Sequence, residues 1–325
     1  MEYLAEYGIF LAKLVTLLVA VLIVIAAVAG RVQRGQVDVP SPGNLEVRKL
    51  NDDYRQAAMT IKASMLPGKQ FKAERKADKA RRKQQAGEQR RRLWVLDFHG
   101  DIRASALTGL REEITALLTT ASEEDEVLVR LESGGGQVHS YGLAAAQLMR
   151  IRDRNIRLTV SVDKIAASGG YMMACVADRI IAAPFAILGS IGVIAQLPNF
   201  NRWLKDRDID YEQFMAGEHK RTVTLFGENT EEGRTKFQEE IEGVHALFKE
   251  FVGTHRPQVD LAEIATGEYW LGTRALDHKL ADELITSDDY LLKASTEADL
   301  LHLRWTGKKP WLARMLSQTA DALVR

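Results

Sequence analysis

From Leu93 onward, short apolar runs alternate with stretches of helical spacing. The runs at 93–98, 127–131 and 157–162 are short and rich in Leu and Val, which is typical of strands. Between the first two, residues 104–121 carry apolar side chains at intervals of three and four, which indicates an amphipathic helix. Strands that alternate with helices in this way predict parallel βαβ units and therefore an α/β fold.

Two glycine-rich turns follow two of these strands. Gly134-Gly135-Gly136 comes after the second strand, and Ala166-Ala167-Ser168-Gly169-Gly170-Tyr171 comes after the third. Because catalytic groups of open α/β sheets collect at the carboxyl ends of the strands, we expect both turns at one edge. The first turn has neither the GK[ST] nor the GxGxxG pattern of a phosphate-binding loop. Its backbone amides suit a developing oxyanion better, and a flexible tight turn is the alternative.

Small residues surround Ser168 on both sides. They leave the hydroxyl open to a substrate backbone, and the Gly169 N–H is free to point at the group that the hydroxyl attacks. The same residue types also occur where a helix packs closely on a strand. The hexapeptide alone therefore supports both a nucleophile and a packing contact.

A nucleophilic hydroxyl needs a general base. His99, His139 and His219 are candidates for a Ser-His-Asp arrangement, in which the three residues need not be close in sequence. Lys220 is the other candidate, and it follows a predicted strand at 211–215. A lysine serves as a base only where loss of solvent favours its neutral amine. Chemistry alone does not separate His219 from Lys220.

The composition argues against several other functions. Lys+Arg and Asp+Glu both number 44, so the net charge indicates no polyanionic partner. Cys175 is the only cysteine, which excludes an intrachain disulfide framework and a thiolate metal cluster. The seven histidines show neither HExxH nor HxH spacing. We therefore expect no metal and no cofactor.

An apolar run at residues 8–30 predicts a single transmembrane anchor. It is long enough to cross a hydrocarbon core of about 30 Å if Lys13 reaches the interface. Ala27-Val28-Ala29 resembles a signal-peptidase site, so a cleaved signal peptide is the alternative. Arg31 and Arg34 follow the run and favour a cytoplasmic location for the rest of the chain.

A polar segment separates the apolar run from the globular pattern. Residues 36–45 contain two prolines and a glycine and indicate a linker, whereas 46–92 is charged and predicted to be helical. Its end, from 69 to 92, is strongly basic. Nucleic-acid binding is one interpretation, and a solvated helix or tether beside an anionic membrane is the other. The only aromatic residue of this stretch, Phe71, lies near its start, so no series of aromatic residues is interleaved for base stacking and we expect no nucleic-acid partner.

Five motifs, in order and within about residues 93–290, resemble the signal peptide peptidase A family of membrane serine proteases, peptidase family S49. The similarity is greatest to the single-module members of that family. The motifs are Leu131–Gly136, Ala166–Tyr171, Leu188–Val193, Gly217–Lys220 and Tyr269–Gly272. This chain departs from the family pattern at Gly134, where proline is usual, and at Lys279, where glycine is usual.

The resemblance implies a ClpP/crotonase-like fold and a Ser/Lys dyad. By motif match, Ser168 is the nucleophile, Lys220 is the general base and Ser190 orients the lysine. Gly135 and Gly169 supply the oxyanion amides. The resemblance also implies peptide or protein substrates and a homo-oligomer with active sites at subunit boundaries. It places the catalytic domain on the periplasmic side of the bacterial inner membrane, opposite to the arginine bias.

The expected organisation has five parts. They are a short tail 1–7, an anchor 8–30, a linker and basic helical segment 31–92, a protease domain 93–295 and an amphipathic tail 296–325. Apolar residues from Trp311 to Leu323 fall on one helical face, which suits a membrane surface or a partner subunit. The alternative functions are a crotonase-type acyl-CoA enzyme and a non-catalytic membrane scaffold of the same fold.

Overall fold

Strands and helices alternate along the chain, as the apolar runs predict. The computed structural model describes residues 13–17, 43–85, 90–217 and 219–307. The elements are β1 (Gly43–Lys49), α1 (Leu50–Met65), α2 (Gly68–Gln85), β2 (Arg91–Gly100), α3 (Leu107–Leu118), β3 (Glu126–Ser133), α4 (Val138–Arg152), β4 (Arg157–Val162), β5 (Ile165–Ala167), α5 (Gly169–Ala174), β6 (Arg179–Ala182), β7 (Ile187–Gly189), α6 (Asn201–Lys205), α7 (Glu231–His255), α8 (Leu261–Ile264), β8 (Tyr269–Leu271), α9 (Gly272–Asp277), β9 (Glu283–Leu284), α10 (Ser287–Ala294) and β10 (Ala298–Gly307).

The strands form one sheet whose main path runs β1-β10-β2-β3-β4-β6-β9. From β10 to β9 the neighbouring strands on this path are parallel. A short arm leaves the path where β5 pairs with the end of β3 and with β7, and β7 pairs antiparallel with β8. The prediction of an α/β fold with parallel βαβ units is confirmed. The arm carries the Ser168 turn away from the main sheet.

Alternate side chains of β2 enter two separate cores. Trp94, Leu96 and Phe98 pack in the core that contains α3 and α4, whereas Leu93 and Val95 pack in the core covered by α1 and α10. Successive strand side chains point to opposite faces, so a strand covered on both faces needs apolar residues at every position. This accounts for the continuous apolar run at 93–96.

Two strands lie where the sequence analysis expected none. β1 falls within the segment 31–92 that was assigned to linker and helix, and β10 falls within the predicted tail 296–325. β1 is an edge strand. Beyond its first residue, only two of its residues are half-buried and the others are exposed, so its sequence carries no continuous apolar run. Both strands belong to the compact unit Asn44–Gly307. The helical prediction for the polar segment agrees with α1 and α2.

The predicted strand at 211–215 does not form. These residues have no strand partner and are exposed, and the Phe214 side chain is 89% exposed. Apolar residues in this stretch therefore do not mark burial within one copy of the chain.

The predicted anchor at 8–30 lies outside the described residues, apart from 13–17, which are helical. The helix predicted at 311–323 lies wholly outside them. Among the helices that the structure describes, none combines the length and the apolar character needed to cross a bilayer.

Candidate active site

Ser168 lies at a sharp turn between β5 and α5. Its backbone has φ 52° and ψ −120°, a conformation that residues other than glycine rarely adopt. The Ser168 N–H donates to the Gly189 carbonyl at 2.8 Å, and the Ser168 carbonyl accepts from the Met172 N–H at 3.0 Å. A serine held on a strained strand-to-helix turn presents its hydroxyl at the end of the strand, which is typical of a nucleophile.

The backbone of Gly135 lies directly against this turn. A Cβ atom at position 135 would come within 2.6 Å of the Gly169 nitrogen and 2.8 Å of the Ser168 Cβ, and the φ of Gly135 is +88°. No side chain fits at this position without displacing the Ser168 turn. The two glycine-rich turns therefore meet at one edge, as the sequence analysis expected.

The two N–H groups that are predicted to stabilise an oxyanion differ in their hydrogen bonds. Gly169 is the first residue of α5, and the first N–H groups of a helix have no acceptor within that helix. The Gly135 N–H donates to the Ser133 Oγ at 3.1 Å. A bound oxyanion must therefore share the Gly135 donor with Ser133 or take it over.

A buried hydroxyl chain holds Ser133 in place. Its Oγ lies 2.6 Å from the Tyr141 Oη, which donates to the Asp101 carbonyl at 2.7 Å. Ser133 therefore donates to Tyr141 and accepts from Gly135. Burial raises the pKa of the Tyr141 hydroxyl, which keeps its proton in place at neutral pH. The sequence analysis did not identify Tyr141, because its spacing on α4 is that of an ordinary core residue.

Ser190 lies beside Ser168 on the neighbouring strand. Ala167 of β5 is the register partner of Gly189 of β7, and the two serines follow these residues. Neighbouring strands are about 4.8 Å apart, so Ala167 and Gly189, which directly precede the serines, lie at roughly that distance. Ser190 also has φ 52°, and its N–H donates to the Glu268 carbonyl at 2.6 Å. Both serines thus have the same positive φ.

Lys220 lies on the exposed loop between α6 and α7. Its N–H donates to the Gly217 carbonyl at 3.1 Å, and its side chain is exposed. Within the described residues, no hydrogen bond joins Lys220 to Ser168. The three candidate histidines are also exposed, and none bonds Ser168 in this part of the chain: His99, His139 and His219.

The loop that carries Lys220 exposes many large apolar side chains. Phe226 packs with Phe200 and Tyr211 at ring-centroid distances of 6.1 Å and 5.8 Å, which gives the loop a defined shape. The exposed apolar residues of the segment between β7 and α7, which contains α6 and this loop, are Ile194, Leu197, Phe200, Trp203, Ile209, Tyr211, Phe214, Met215 and Phe226. Such a concentration in one segment is typical of a surface that a partner covers.

An apolar groove of about 320 Å³ opens at Ser168. Met172 and Val193 form part of its wall, and α7 contributes a stripe with helical spacing: Val244, Leu247, Phe248 and Phe251. This i, i+3, i+4, i+7 pattern is the sequence signal that could have identified the wall. His245 of α7 lies 3.2 Å from the Ile191 carbonyl and ties the helix to the loop after Ser190. The described residues include no cluster of His, Cys, Asp or Glu that could hold a metal ion.

Two family models match the chain. The one described as peptidase family S49 N-terminal matches residues 2–148, and the one described as peptidase family S49 matches 150–301. Probable protease SohB of Haemophilus influenzae is 44% identical over 99% of this chain and 95% of its own length. Probable protease SohB of Buchnera aphidicola subsp. Schlechtendalia chinensis is 45% identical over 90% of this chain and 99% of its own length. A solved structure described as a mutant of the 1510-N membrane-bound stomatin-specific protease aligns with a TM-score of 0.46 and 12% identity, over 66% of this chain and 98% of that one.

Proposed function

The chain belongs to peptidase family S49, and on this premise we propose that it is a membrane-anchored serine endopeptidase with a ClpP/crotonase-like fold. Ser168 is the nucleophile, Lys220 is the general base and Ser190 orients the lysine. The N–H groups of Gly135 and Gly169 stabilise the oxyanion. The observation that carries the proposal is the strained Ser168 turn, pressed against Gly135 at the mouth of an apolar groove.

The reaction proceeds through an acyl-enzyme. The Ser168 Oγ attacks the scissile carbonyl carbon while its proton passes to the neutral Lys220 Nζ. The carbonyl oxygen becomes an oxyanion and accepts hydrogen bonds from the two glycine N–H groups. The C–N bond then breaks, and Nζ returns the proton to the leaving amine. A water then gives a proton to Nζ and attacks the ester carbon, the bond from that carbon to the Ser168 Oγ breaks, and Nζ returns the proton to Oγ.

In the resting enzyme the Gly135 N–H is hydrogen-bonded to the Ser133 hydroxyl, and it turns to the oxyanion when that forms. The resting 3.1 Å bond from Gly135 to the Ser133 hydroxyl joins two uncharged groups. Hydrogen bonds to a charged acceptor are roughly twice as strong, so the oxyanion competes successfully for this N–H. The neutral carbonyl of the substrate competes less well, so the interaction favours the transition state over the ground state.

We place Lys220 of one copy beside Ser168 of the next copy in a homo-oligomer. Lys220 is exposed, and the same loop carries exposed apolar side chains such as Tyr211 and Phe214. A second copy that covers this loop removes both the apolar surface and the lysine amine from water. Loss of solvent favours the neutral amine, which is the form that accepts a proton.

The groove supports substrates with an apolar side chain next to the scissile bond. Its wall is built from Met172, Val193, Leu247 and Phe248, and Ser168 lies at its opening. Burial of a Leu or Phe side chain in such a groove stabilises the complex by about 1.5–3 kcal/mol. Substrates with a small polar side chain at this position do not gain this stabilisation.

The predicted anchor at 8–30 assigns the enzyme to the bacterial inner membrane as a single-pass protein. We place the catalytic unit on the periplasmic side, as the family resemblance implies. Arg31 and Arg34 favour the opposite side, but long domains are translocated largely regardless of such charges.

Single substitutions test the dyad. Ser168→Ala and Lys220→Ala are each expected to lower kcat for peptide hydrolysis by about 10⁴-fold or more, because nucleophile and base act as a unit. His219→Ala is the matched control, since His219 is an exposed neighbour of Lys220, and it should keep the wild-type rate.

A fluorophosphonate probe separates this function from the alternatives. The proposal predicts that the probe labels Ser168 in the wild type and labels nothing in Ser168→Ala. An active Lys220→Ala enzyme together with an inactive His219→Ala enzyme would overturn the dyad. An unlabelled Ser168 would argue for an acyl-CoA enzyme of the crotonase type, which needs no serine nucleophile.

A further inference from the structure

Five lysines of α2 lie on one side of the helix. They recur at intervals of three and four residues over 14 positions, so they form a single row about 21 Å long. All five are exposed, and none makes an ion pair within the described residues. The lysine row consists of Lys69, Lys72, Lys76, Lys79 and Lys83.

The acidic residues of α2 lie on the opposite side. Glu74 and Asp78 are half-buried together with Phe71, at i, i+3 and i+7, whereas the described side chains around them are exposed. Glu74 accepts from Lys62 of α1 at 2.6 Å and from Arg81 at 3.1 Å. Glu74 is therefore paired on the inner side, and within the described residues neither acidic residue of α2 pairs with a lysine of the row.

This separation makes α2 strongly positive within a balanced chain. The helix carries eight Lys and Arg residues against two acidic residues, a net charge of +6. Because the whole chain has 44 residues of each sign, the remaining sequence carries −6. The row is thus a local feature that the overall charge conceals.

The rest of the basic stretch is used inside the fold. Arg92 pairs with Asp125 at 2.7 Å, Arg91 pairs with the buried Glu126, and Arg90 pairs with Asp299 at 3.4 Å. These arginines hold β2 and β10 in place. Only the charges of α2 remain available to a partner.

The helix that carries the lysine row is attached to the sheet through α1. The side chain of Asn51, at the start of α1, bonds the Ala298 carbonyl at 2.9 Å and the Leu300 N–H at 2.7 Å. Lys49 pairs with Asp299 at 2.7 Å. A two-residue connection then joins α1 to α2, with Lys62 and Glu74 paired across the hairpin. The lysines are therefore presented by a folded hairpin that is fixed to β10.

We propose that the lysine row docks on the headgroups of anionic phospholipids in the membrane that holds the anchor. A straight row of exposed point charges complements a planar anionic surface, and each lysine near such a surface favours docking about fivefold. The chain between residue 30 and β1 spans at most about 45 Å, which keeps the helix within reach of the bilayer. The only aromatic residue of α2, Phe71, is on the inner side, so no side chain of the row can stack on a base. The inference rests on the proposed anchor and not on the peptidase activity.

A quenching experiment on the full chain tests this docking. A fluorophore is attached at Ala80→Cys, next to the row, because Cys175 is the only native cysteine and is buried. The protein is placed in nanodiscs of phosphatidylcholine, with or without phosphatidylglycerol, that carry a headgroup quencher. We expect stronger quenching in the anionic discs and a loss of this difference near 1 M salt, where the Debye length falls to about 3 Å.

Matched variants identify the row as the cause. Replacing all five lysines by Gln should lower quenching to the neutral-disc level, whereas replacing them by Arg should preserve it. Lys76→Gln alone should reduce the ratio of docked to undocked helix about fivefold. The Gln and Arg variants should both hydrolyse a soluble peptide at the parent rate, which confirms folding and keeps this test separate from that of the catalytic residues.

Three results would overturn the docking proposal. One is equal quenching in neutral and anionic discs, and another is unchanged quenching in the five-Gln variant. The third is displacement of the helix from anionic discs by a single-stranded oligonucleotide at low concentration, which would identify nucleic acid as the partner. A chain that does not stay with the discs contradicts the anchor and the proposal together, whatever its peptidase activity.

Discussion

Gly135 shows how one residue joins the two halves of the site. Its identity follows from the close approach of its backbone to Ser168 and Gly169, which leaves no room for a Cβ. Glycine-rich turns after strands are visible in a sequence and indicated Ser168 and the glycines around it, whereas Ser190 was identified only through the family resemblance. The Ser133–Tyr141 hydrogen bond was not predictable, since two buried hydroxyls on different elements leave no pattern in the sequence.

Gly135→Ala is expected to impair catalysis more than folding. The added methyl group forces the Gly135 backbone away from Ser168 and displaces one oxyanion donor. Loss of one such donor lowers kcat by about 10²–10³-fold. The strain at φ +88° should also lower the free energy of unfolding by about 1–3 kcal/mol. Steady-state kinetics and urea denaturation measure the two effects.

Gly243→Ala is the matched control for this substitution. Gly243 lies within α7, and a Cβ there meets nothing within 4 Å. The variant should keep the wild-type kcat and gain up to about 1 kcal/mol in stability, because alanine favours a helix over glycine. A Gly135→Ala enzyme with the wild-type kcat would remove Gly135 from the oxyanion site.

At the scale of elements, the central strands and the helices between them were predictable, whereas the edge strands and the long helix α7 were not predicted. Strands β2, β3 and β4 are buried on both faces, so their apolar runs stand out. β1 lies at an edge, and β10 reaches its place between β1 and β2 from the far end of the chain. Strand order depends on such long-range pairing, which local composition does not record. The stretch 211–215 gave the opposite error. Its apolar residues predicted a strand, but they are exposed and form none.

Leu247→Asp tests the role of α7 as the groove wall. The Leu247 side chain is 67% exposed and lines the groove, so a carboxylate there opposes an apolar substrate side chain without disturbing the core. We expect kcat/KM for substrates with an apolar residue beside the scissile bond to fall about 10–100-fold. Stability should change by less than about 0.5 kcal/mol.

Leu292→Asp is the matched control for the groove. Leu292 lies on α10, is 59% exposed and does not line the groove. Its substitution should leave kcat/KM unchanged. An equal loss in both variants would show that a new surface charge, and not the groove, accounts for the effect.

At the scale of the whole molecule, one copy brings the proposed nucleophile Ser168 against Gly135 and places Ser190 after the neighbouring strand, while Lys220 lies on an exposed loop. The apolar side chains of that loop are unexplained by the fold of a single copy. The sequence alone suggested an oligomer only through the family resemblance, because composition and spacing do not distinguish a surface that a partner covers. The proposed head-to-tail assembly would cover the exposed loop and would bring Lys220 of one copy to Ser168 of the next.

Mixed assemblies of two inactive variants test this account most directly. Ser168→Ala and Lys220→Ala chains with different affinity tags are reassembled in equal amounts, and assemblies that carry both tags are purified and assayed for peptide hydrolysis. If each site takes Ser168 from one copy and Lys220 from the next, random head-to-tail mixing leaves about a quarter of the sites intact. We predict about a quarter of the wild-type activity. Mixed assemblies without activity would contradict a dyad shared between subunits.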